Sequence, residues 1–449
     1  MTPDKPSTVG IIGGGVTGLT AAYRLLQRGH TVRVFEASDT IGGLVRTFEV
    51  NGEPIECFYH HLFASDSAAL RLFADLSVGE PVSWHSSRVG LFYNGRTYPF
   101  TTALDLLRFS PLGVRDRLRL GGASMALRRE ANGGQFEDVS ATAWMREHAG
   151  DRAVDVVWEP LLRGKFGEAW DQVVMTWLWN KLRLRLSSRG GRLSQREVLG
   201  YMTGSFGAWV DTLAQRVVEL GGRIETGSPV KRIDSSGGRI AVDGGGESVE
   251  LDAVISTVSN DAFMRISPEL PETYASKLRG TRYQDALCLV LRLDRPLSDY
   301  YWLSINDREI PFVAIVEHTN LVGPERYGNQ HIVYVSNYLE PGSGLLNEDA
   351  ESIARLYVPH LRKINPSFDE SWIVGRHLFH ARDAQPVFTV GARGRIPDHR
   401  SPIPGLYVAN MAQIYPQDRG QNYSIELGER VAEMVADDLT RASAPRYQV

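Results

Sequence analysis

Gly13, Gly15 and Gly18 could hold a pyrophosphate. They form a Gly-x-Gly-x-x-Gly pattern, and Glu36 follows eighteen residues after the last glycine. The first glycine allows a tight turn, the second lets backbone approach a phosphate, and the third lets a helix pack closely on a strand. A carboxylate at Glu36 can accept hydrogen bonds from ribose hydroxyls. These residues act together only if the elements around them are right. The apolar run Val9 to Ile12 reads as a strand. Leu19 to Arg28 reads as a helix, with Leu19, Ala22, Leu25 and Leu26 on one face, and Gly29 ends it. Val32, Val34 and Phe35 form a second strand with Glu36 at its end. The helix N-terminus offers free N–H groups to the phosphates. The chemistry implied is dinucleotide binding.

His60 and His61 are the candidate catalytic pair. They close the segment Glu49 to Phe63, whose Asn51-Gly52 is a hairpin signal. Paired histidines in an aromatic setting also serve as packed, hydrogen-bonded residues, but these directly follow the nucleotide-binding stretch. No metal is expected at this pair. Glu317-His318 are acid–base candidates or a structural pair. Arg183, Arg185, Arg189, Arg192 and Arg196 fall within fourteen residues. They suit an anionic substrate group or simple solvation. Six arginines lie from Arg108 to Arg129, interleaved with Leu106, Leu107, Phe109, Leu112, Leu118 and Leu120. That stretch reads as the solvated face of a helical pair or as a peripheral contact with a membrane or lipid-linked substrate.

At 449 residues the chain exceeds the size at which a single core stops growing, about 250–300 residues. Hydrophobic content of 43% and charged content of 23% suit an ordinary globular protein. The net charge of −4 supplies no basic field for nucleic acid. Cys57 and Cys288 do not make a disulfide framework, and a reducing cytosol fits them. No signal peptide is read, and no run of about 20 apolar residues predicts a spanning helix.

Farther along, Asp66 to Leu76 predicts a helix capped by Ser65, and Asn94-Gly95 a hairpin within Val89 to Pro99. Helices are expected to about Trp179. The aromatic, charged and glycine-rich stretch Trp158 to Gly167 is expected on the substrate side. A helix from Ala208 to Leu220 leads into a meander of strands, and Leu251 to Thr257 returns as an apolar strand. Strands follow at Ala286 to Leu293, Phe312 to His318 and His331 to Ser336, and a helix at Ala350 to Leu361. Pro404 to Asn410 predicts a final strand, and a helix opens near Gln421 and runs to about Leu439.

Glu36, followed after five residues by Gly42-Gly43 and then by Arg46 and Thr47, resembles the glycine-pair extension of FAD-containing oxidases. The block Gly204 to Thr257 and the C-terminal strand–loop–helix resemble two further flavin-binding segments of the same families. His61-Leu62-Phe63 is similar to the His-Ile-Phe motif of UDP-galactopyranose mutases. Together these segments resemble the flavin amine oxidase and protoporphyrinogen oxidase superfamily, which includes phytoene desaturases and UDP-galactopyranose mutases. The fold implied is α/β, a Rossmann-type FAD-binding domain (6–65, 204–265 and 396–441) interrupted by a mixed α+β substrate domain (66–203 and 266–395).

The resemblance implies non-covalent FAD held by Gly13, Gly15, Val16, Thr17, Gly18, Glu36, Ala37, Gly42, Gly43, Leu44, Arg46, Thr47, Val230, Thr257, Asn410, Gln421, Asn422 and Tyr423. Val230 would meet the adenine, and the backbone near Gln421 and Asn422 the N1/O2 edge of the flavin. Asn410 stands where the families usually have glycine, and asparagine tolerates the left-handed region better than most residues. The reaction implied is hydride transfer from a substrate carbon to flavin N5, with oxygen or another acceptor taking the electrons. A redox-neutral mutase or isomerase acting on a nucleotide-linked or lipid-linked sugar is the alternative. The expected partner is a small-molecule or lipid-linked substrate, anionic in one reading. The expected location is cytoplasmic, with membrane contact on the cytoplasmic face as a further expectation.

Overall fold

The computed structural model describes residues 6–187, 197–235 and 239–443. Its organising layer is a five-stranded parallel sheet. In order across the sheet the strands are Leu406–Val408, Ala253–Ser256, Thr8–Ile12, Thr31–Phe35 and Arg223–Glu225. Val9, Ile11, Val32, Val34, Val254 and Ile255 are fully buried. Such continuous apolar runs are what a sheet covered on both faces requires. The helix Val16–Gln27 follows the first strand and buries Leu19, Ala22 and Leu25. Against it packs the C-terminal helix Gln421–Ser443. Gly428 permits that contact, because a Cβ there would lie 2.6 Å from the Thr17 carbonyl oxygen.

The first loop is shaped by what its glycines lack. Gly13 has φ +108°, and a Cβ on it would meet Thr257 Oγ1 at 2.4 Å. A Cβ on Gly18 would lie 2.0 Å from the Gly13 carbonyl oxygen. The second glycine pair is pinned to this loop by the Gly42 N–H, which donates to the Gly14 carbonyl at 2.9 Å.

The second layer is a seven-stranded sheet in the order Ile373–Val387, Arg282–Leu293, His331–Leu339, Ala314–Glu317, Trp302–Ile305, Val89–Tyr93 and Arg96–Pro99. Its pairings are antiparallel except Trp302–Ile305 with Val89–Tyr93. A separate helical core lies beside it. There Phe109, Leu120, Val154, Leu162, Phe166 and Trp177 are buried together. The helices that matter below are Ala103–Arg108, Val114–Arg129, Glu159–Phe166 and Met175–Ser187.

The predicted hairpins at Asn51-Gly52 and Asn94-Gly95 form, joining Thr47–Val50 to Glu53–Glu56 and Val89–Tyr93 to Arg96–Pro99. The helix expected from Asp66 begins at Ser67 with Asp66, not Ser65, in the capping position. Asp66 makes no side-chain cap. Its carboxylate instead accepts from the Phe63 N–H at 2.9 Å. Asn410 has φ −133°, extended backbone that any residue adopts, so the left-handed tolerance of asparagine is not used there.

Candidate active site

A cleft of about 340 Å³ runs between the starts of the two long helices. Gly15, Val16 and Thr17 line one end, and Gln421, Asn422 and Tyr423 the other. The first N–H groups of an α-helix have no intrahelical acceptor, and together they carry the positive end of its dipole. Neither helix places an acidic residue in its first turn to neutralise that field. Thr17 Oγ1 donates to the Ser424 carbonyl at 3.1 Å and ties the two helix starts together. The wall between them carries Gly42, Gly43, Leu44, His60, His61 and Thr257.

The other expected cofactor residues lie under or beside the cleft. Gly13 and Gly18 shape the loop from beneath. The Glu36 carboxylate accepts from the Gly14 N–H at 2.7 Å and the Ser38 N–H at 2.8 Å. Ala37 is exposed next to it. Val230 is half-buried, on a loop whose Ser228 N–H donates to the Glu36 carbonyl at 2.8 Å. Arg46 donates to the His380 carbonyl at 3.3 Å and lies over the Phe58 ring, and Thr47 opens the following strand. Thr257 Oγ1 donates to the Ile12 carbonyl at 2.9 Å. Asn410 is buried away from the cleft and donates to the Val258 carbonyl at 2.8 Å. Gln421 accepts from Trp209 Nε1 at 2.9 Å, while its own amide nitrogen is buried without a protein partner. Asn422 accepts from the Ala68 and Ala69 N–H groups at 2.9 and 3.2 Å and so caps the neighbouring helix.

The histidine pair is neutral at physiological pH. Burial pushes His60 down to about 4, against the opposing effect of its 2.6 Å contact with the Phe58 carbonyl. Burial, with the Arg185 and Lys181 charges adding to it, pushes His61 down to about 3. His61 Nδ1 lies 3.0 Å from the Tyr301 hydroxyl. By contrast, Glu317 and His318 are fully buried and committed to structure. Glu317 accepts from the Leu297 and Ser298 N–H groups at 2.9 and 2.8 Å, and His318 meets the Tyr327 hydroxyl at 3.0 Å.

Of the side chains where the cleft meets a second cavity, sequence reasoning reached Arg185, and Lys165 only within the stretch Trp158 to Gly167, and missed Lys181 and Asp418. That chamber, about 820 Å³, lies between the seven-stranded sheet and the helical layer. Tyr59, Lys165, Lys181, Arg185, Trp302 and Tyr338 line both cavities and form their seam. Lys165 comes from Glu159–Phe166, and Lys181 and Arg185 lie one turn apart on Met175–Ser187. Asp418, in the loop before the C-terminal helix, pairs with Lys165 at 2.8 Å and also with Lys181. Next to it, Arg419 donates to the Tyr338 hydroxyl at 2.8 Å. Burial lowers Lys165, and it brings Lys181 down to about 8 although the Asp418 charge opposes it. Burial works to raise Asp418, but the two ammonium groups overcome it and hold the carboxyl well below its usual range. Arg185 stands over the Trp302 ring, whereas Arg183 is exposed and lies over Trp179. Arg189, Arg192 and Arg196 lie outside the described residues. The pair Lys181 and Arg185 was visible as a four-residue spacing, but nothing in the sequence linked it to Lys165 or Asp418.

The family described as flavin containing amine oxidoreductase matches this chain over residues 16–435. The chain belongs to that family. Among curated relatives of this chain is the coproporphyrinogen III oxidase of Propionibacterium freudenreichii subsp. freudenreichii. It is 29% identical over 206 residues, or 41% of this chain and 38% of that protein. The 15-cis-phytoene desaturase of Synechococcus elongatus is 25% identical over 65% of this chain and 66% of its own length. The chain thus spans less than two thirds of each. Among solved structures, one described as a candidate protoporphyrinogen oxidase from Exiguobacterium sp. 255-15 superposes with a TM-score of 0.78. At 18% identity it covers 97% of this chain and 99% of the other, and it shows a shared fold.

The cofactor of this family member is FAD. The family supplies the flavin, and the glycine loop with Glu36 fits the adenine dinucleotide. The cradle itself is bare backbone: a Cβ on Gly43 would come within 3.3 Å of Gly15 Cα. The orphaned Gln421 amide lies at the cleft's opposite end, where a flavin carbonyl could accept its hydrogen bond. Neither cysteine is among the lining residues, in keeping with non-covalent attachment. Among the described residues, no helix is long and apolar enough to cross a membrane.

Proposed function

We propose that this protein is an FAD-dependent oxidoreductase of the protoporphyrinogen oxidase type, acting on a small molecule with an apolar body and an anionic group. The observation that carries this reading is the seam, where a cofactor cleft opens into a largely apolar chamber through a wall of four cations. Lys165 and Lys181 share one carboxylate, Asp418, and Arg185 and Arg419 lie along the same wall. A protonated amine would be repelled there, whereas a carboxylate or phosphate would relieve the excess charge. Bound FAD supplies hydride acceptance at flavin N5 from a substrate carbon.

The chain's own residues do the rest. Gly13 to Gly18 would hold the pyrophosphate, with Glu36, Ala37 and Val230 on the adenosine side. Gly42 to Leu44 would add a second phosphate contact, supported by Arg46, Thr47 and Thr257. The helix start at Gln421 to Tyr423 favours negative charge at the flavin's N1/O2 edge. Tyr59, Trp302 and Tyr338 exclude water at the seam and orient the substrate. His61, kept neutral by burial and by the Arg185 and Lys181 charges and held by Tyr301, would orient the substrate by hydrogen bonding and not act as a base. The division into a flavin body (6–65, 204–265 and 396–441) and a substrate body belongs to the same reading. In its support, all five strands of the parallel sheet come from the first set of segments.

Purified protein should absorb near ~450 nm. Mixed anaerobically with coproporphyrinogen III, a tetrapyrrole bearing carboxylates, it should bleach that band. Oxygen or an added acceptor should then restore the colour. A holoenzyme bleached by no apolar carboxylate or phosphate would sink the proposal. The position of His61 in the cleft keeps a second reading open, a redox-neutral rearrangement of an anionic sugar derivative. It is chosen over the first if product forms only with pre-reduced flavin and no electrons leave.

A further inference from the structure

We propose that the helices Ala103–Arg108 and Val114–Arg129 dock on an anionic lipid surface and open the substrate chamber directly onto it. The inference rests on how these two helices distribute their side chains. On Val114–Arg129 the core face carries Leu120, Ala123 and Leu127. A second apolar stripe runs along the opposite side. By the roughly 100° per residue of an α-helix, Val114, Leu118 and Met125 fall within about 40° of one another, about half a turn away from the core face. They are 67%, 62% and 57% exposed, and Leu104 and Leu107 on the adjoining helix are 50% and 53% exposed. These five are a large part of the exposed bulky apolar side chains among the described residues, and they are gathered on two contacting helices.

The charges around the stripe decide what covers it. From Ala103 to Arg129 there are six arginines against Asp105 and Asp116, a net of +4 in a chain whose total is −4. Asp105 is already spent capping Thr101 and Thr102. Among the described residues none of the six arginines has a carboxylate within ion-pair distance. On the helix, Arg117 and Arg128 flank the stripe on one side and Arg129 on the other. Apolar side chains bordered by cations suit a bilayer interface with anionic headgroups, where each nearby cation adds to the attraction. A second copy of the same face would bring like charges together and is disfavoured.

The chamber ties this surface to catalysis. Met125 and Arg128 lie on the docking side and also line the chamber, together with Leu106 and Ala103. An apolar substrate dissolved in the bilayer would therefore pass between the two helices toward the seam without crossing water. The inference extends the proposed reaction but does not depend on it, because lipid binding is measured without turnover.

The test is flotation of the flavin-loaded holoenzyme with vesicles. The wild type should float with phosphatidylcholine vesicles containing phosphatidylglycerol, less as salt is raised, and stay at the bottom with pure phosphatidylcholine. Val114→Asp with Leu118→Asp alters only exposed side chains outside the chamber lining. It should weaken binding at least about tenfold while the flavin spectrum is kept. Three outcomes overturn the proposal: no flotation with anionic vesicles, equal flotation of the double variant, or a salt-stable dimer in sedimentation that the double variant abolishes while vesicles bind neither form.

Discussion

The glycine-lined cleft, proposed to hold the flavin, and the cationic seam lie side by side and are built on opposite principles. The cleft is made of backbone: two glycine loops, two helix starts and a threonine hydroxyl, held by the parallel sheet. The seam is made of side chains, Lys165, Lys181, Arg185, Asp418 and Arg419, which three separate segments bring together. Backbone sites need particular residue types at fixed short spacings, because a Cβ in the wrong place collides. Side-chain sites need only that the fold deliver charge to one place, from any distance along the chain.

The comparison can be broken first at its most rigid point. Gly18→Val puts branched carbon where the Gly13 carbonyl oxygen would be 2.0 Å from the first atom. The loop and the helix start must move apart. The expected cost is about 3 kcal/mol or more in urea unfolding, with flavin lost on gel filtration. A stable variant that keeps its yellow colour would show that the cleft is less dependent on backbone contact than its geometry states.

The seam should fail differently. Asp418→Asn leaves Lys165 and Lys181 facing each other without their carboxylate. Because these groups are only partly buried, the expected loss is about 1–3 kcal/mol of stability, with the flavin retained. Flavin loss at native stability would mean that the two regions are not separable.

A pH series sharpens the same contrast. Lys181 sits at about 8, below its ordinary value because burial disfavours the ammonium. It is therefore charged below that pH and neutral above it. Binding of an anionic ligand should weaken as pH rises through about 8, seen as an increase in KM with kcat little changed. Lys181→Gln should flatten that inflection, and Lys181→Arg should keep the tight binding at high pH. Flavin retention rests on backbone and should show no inflection there. If KM does not move in the wild type, Lys181 is a structural cation only.

How much was legible follows from this division. The Gly13 to Glu36 loop, the Gly42-Gly43 pair and the helix start at Gln421 could each be read locally, because each is a short-range steric demand. The Asn422 side chain caps the helix Ser67–Leu76 by reaching Ala68, a pairing 354 residues apart that no local pattern encodes. In the sequence Lys165 stands out only as part of the mixed stretch Trp158 to Gly167 expected on the substrate side. Its partner Asp418 is 253 residues away, and a long-range ion pair leaves no periodicity. Exposure was equally hidden: Leu118 and Leu120 are two residues apart, one 62% exposed and the other 2%.

The smallest effect tests whether a charged run can be divided by its helix alone. Arg183 and Arg185 are both basic and two residues apart, so they point about 200° apart around their helix. Arg185 reaches the seam over Trp302, while Arg183 lies exposed over Trp179 at 5.3 Å. An exposed cation–π contact is worth about 0.5–1 kcal/mol at most. Arg183→Ala should therefore change stability by about 0.5 kcal/mol and leave KM for an anionic substrate unaltered, whereas Arg185→Ala should raise KM about tenfold with the same small effect on unfolding. Equal KM changes would mean that the substrate feels the summed charge of the run. Unequal ones would mean that a single turn of helix separates a binding residue from a solvated neighbour.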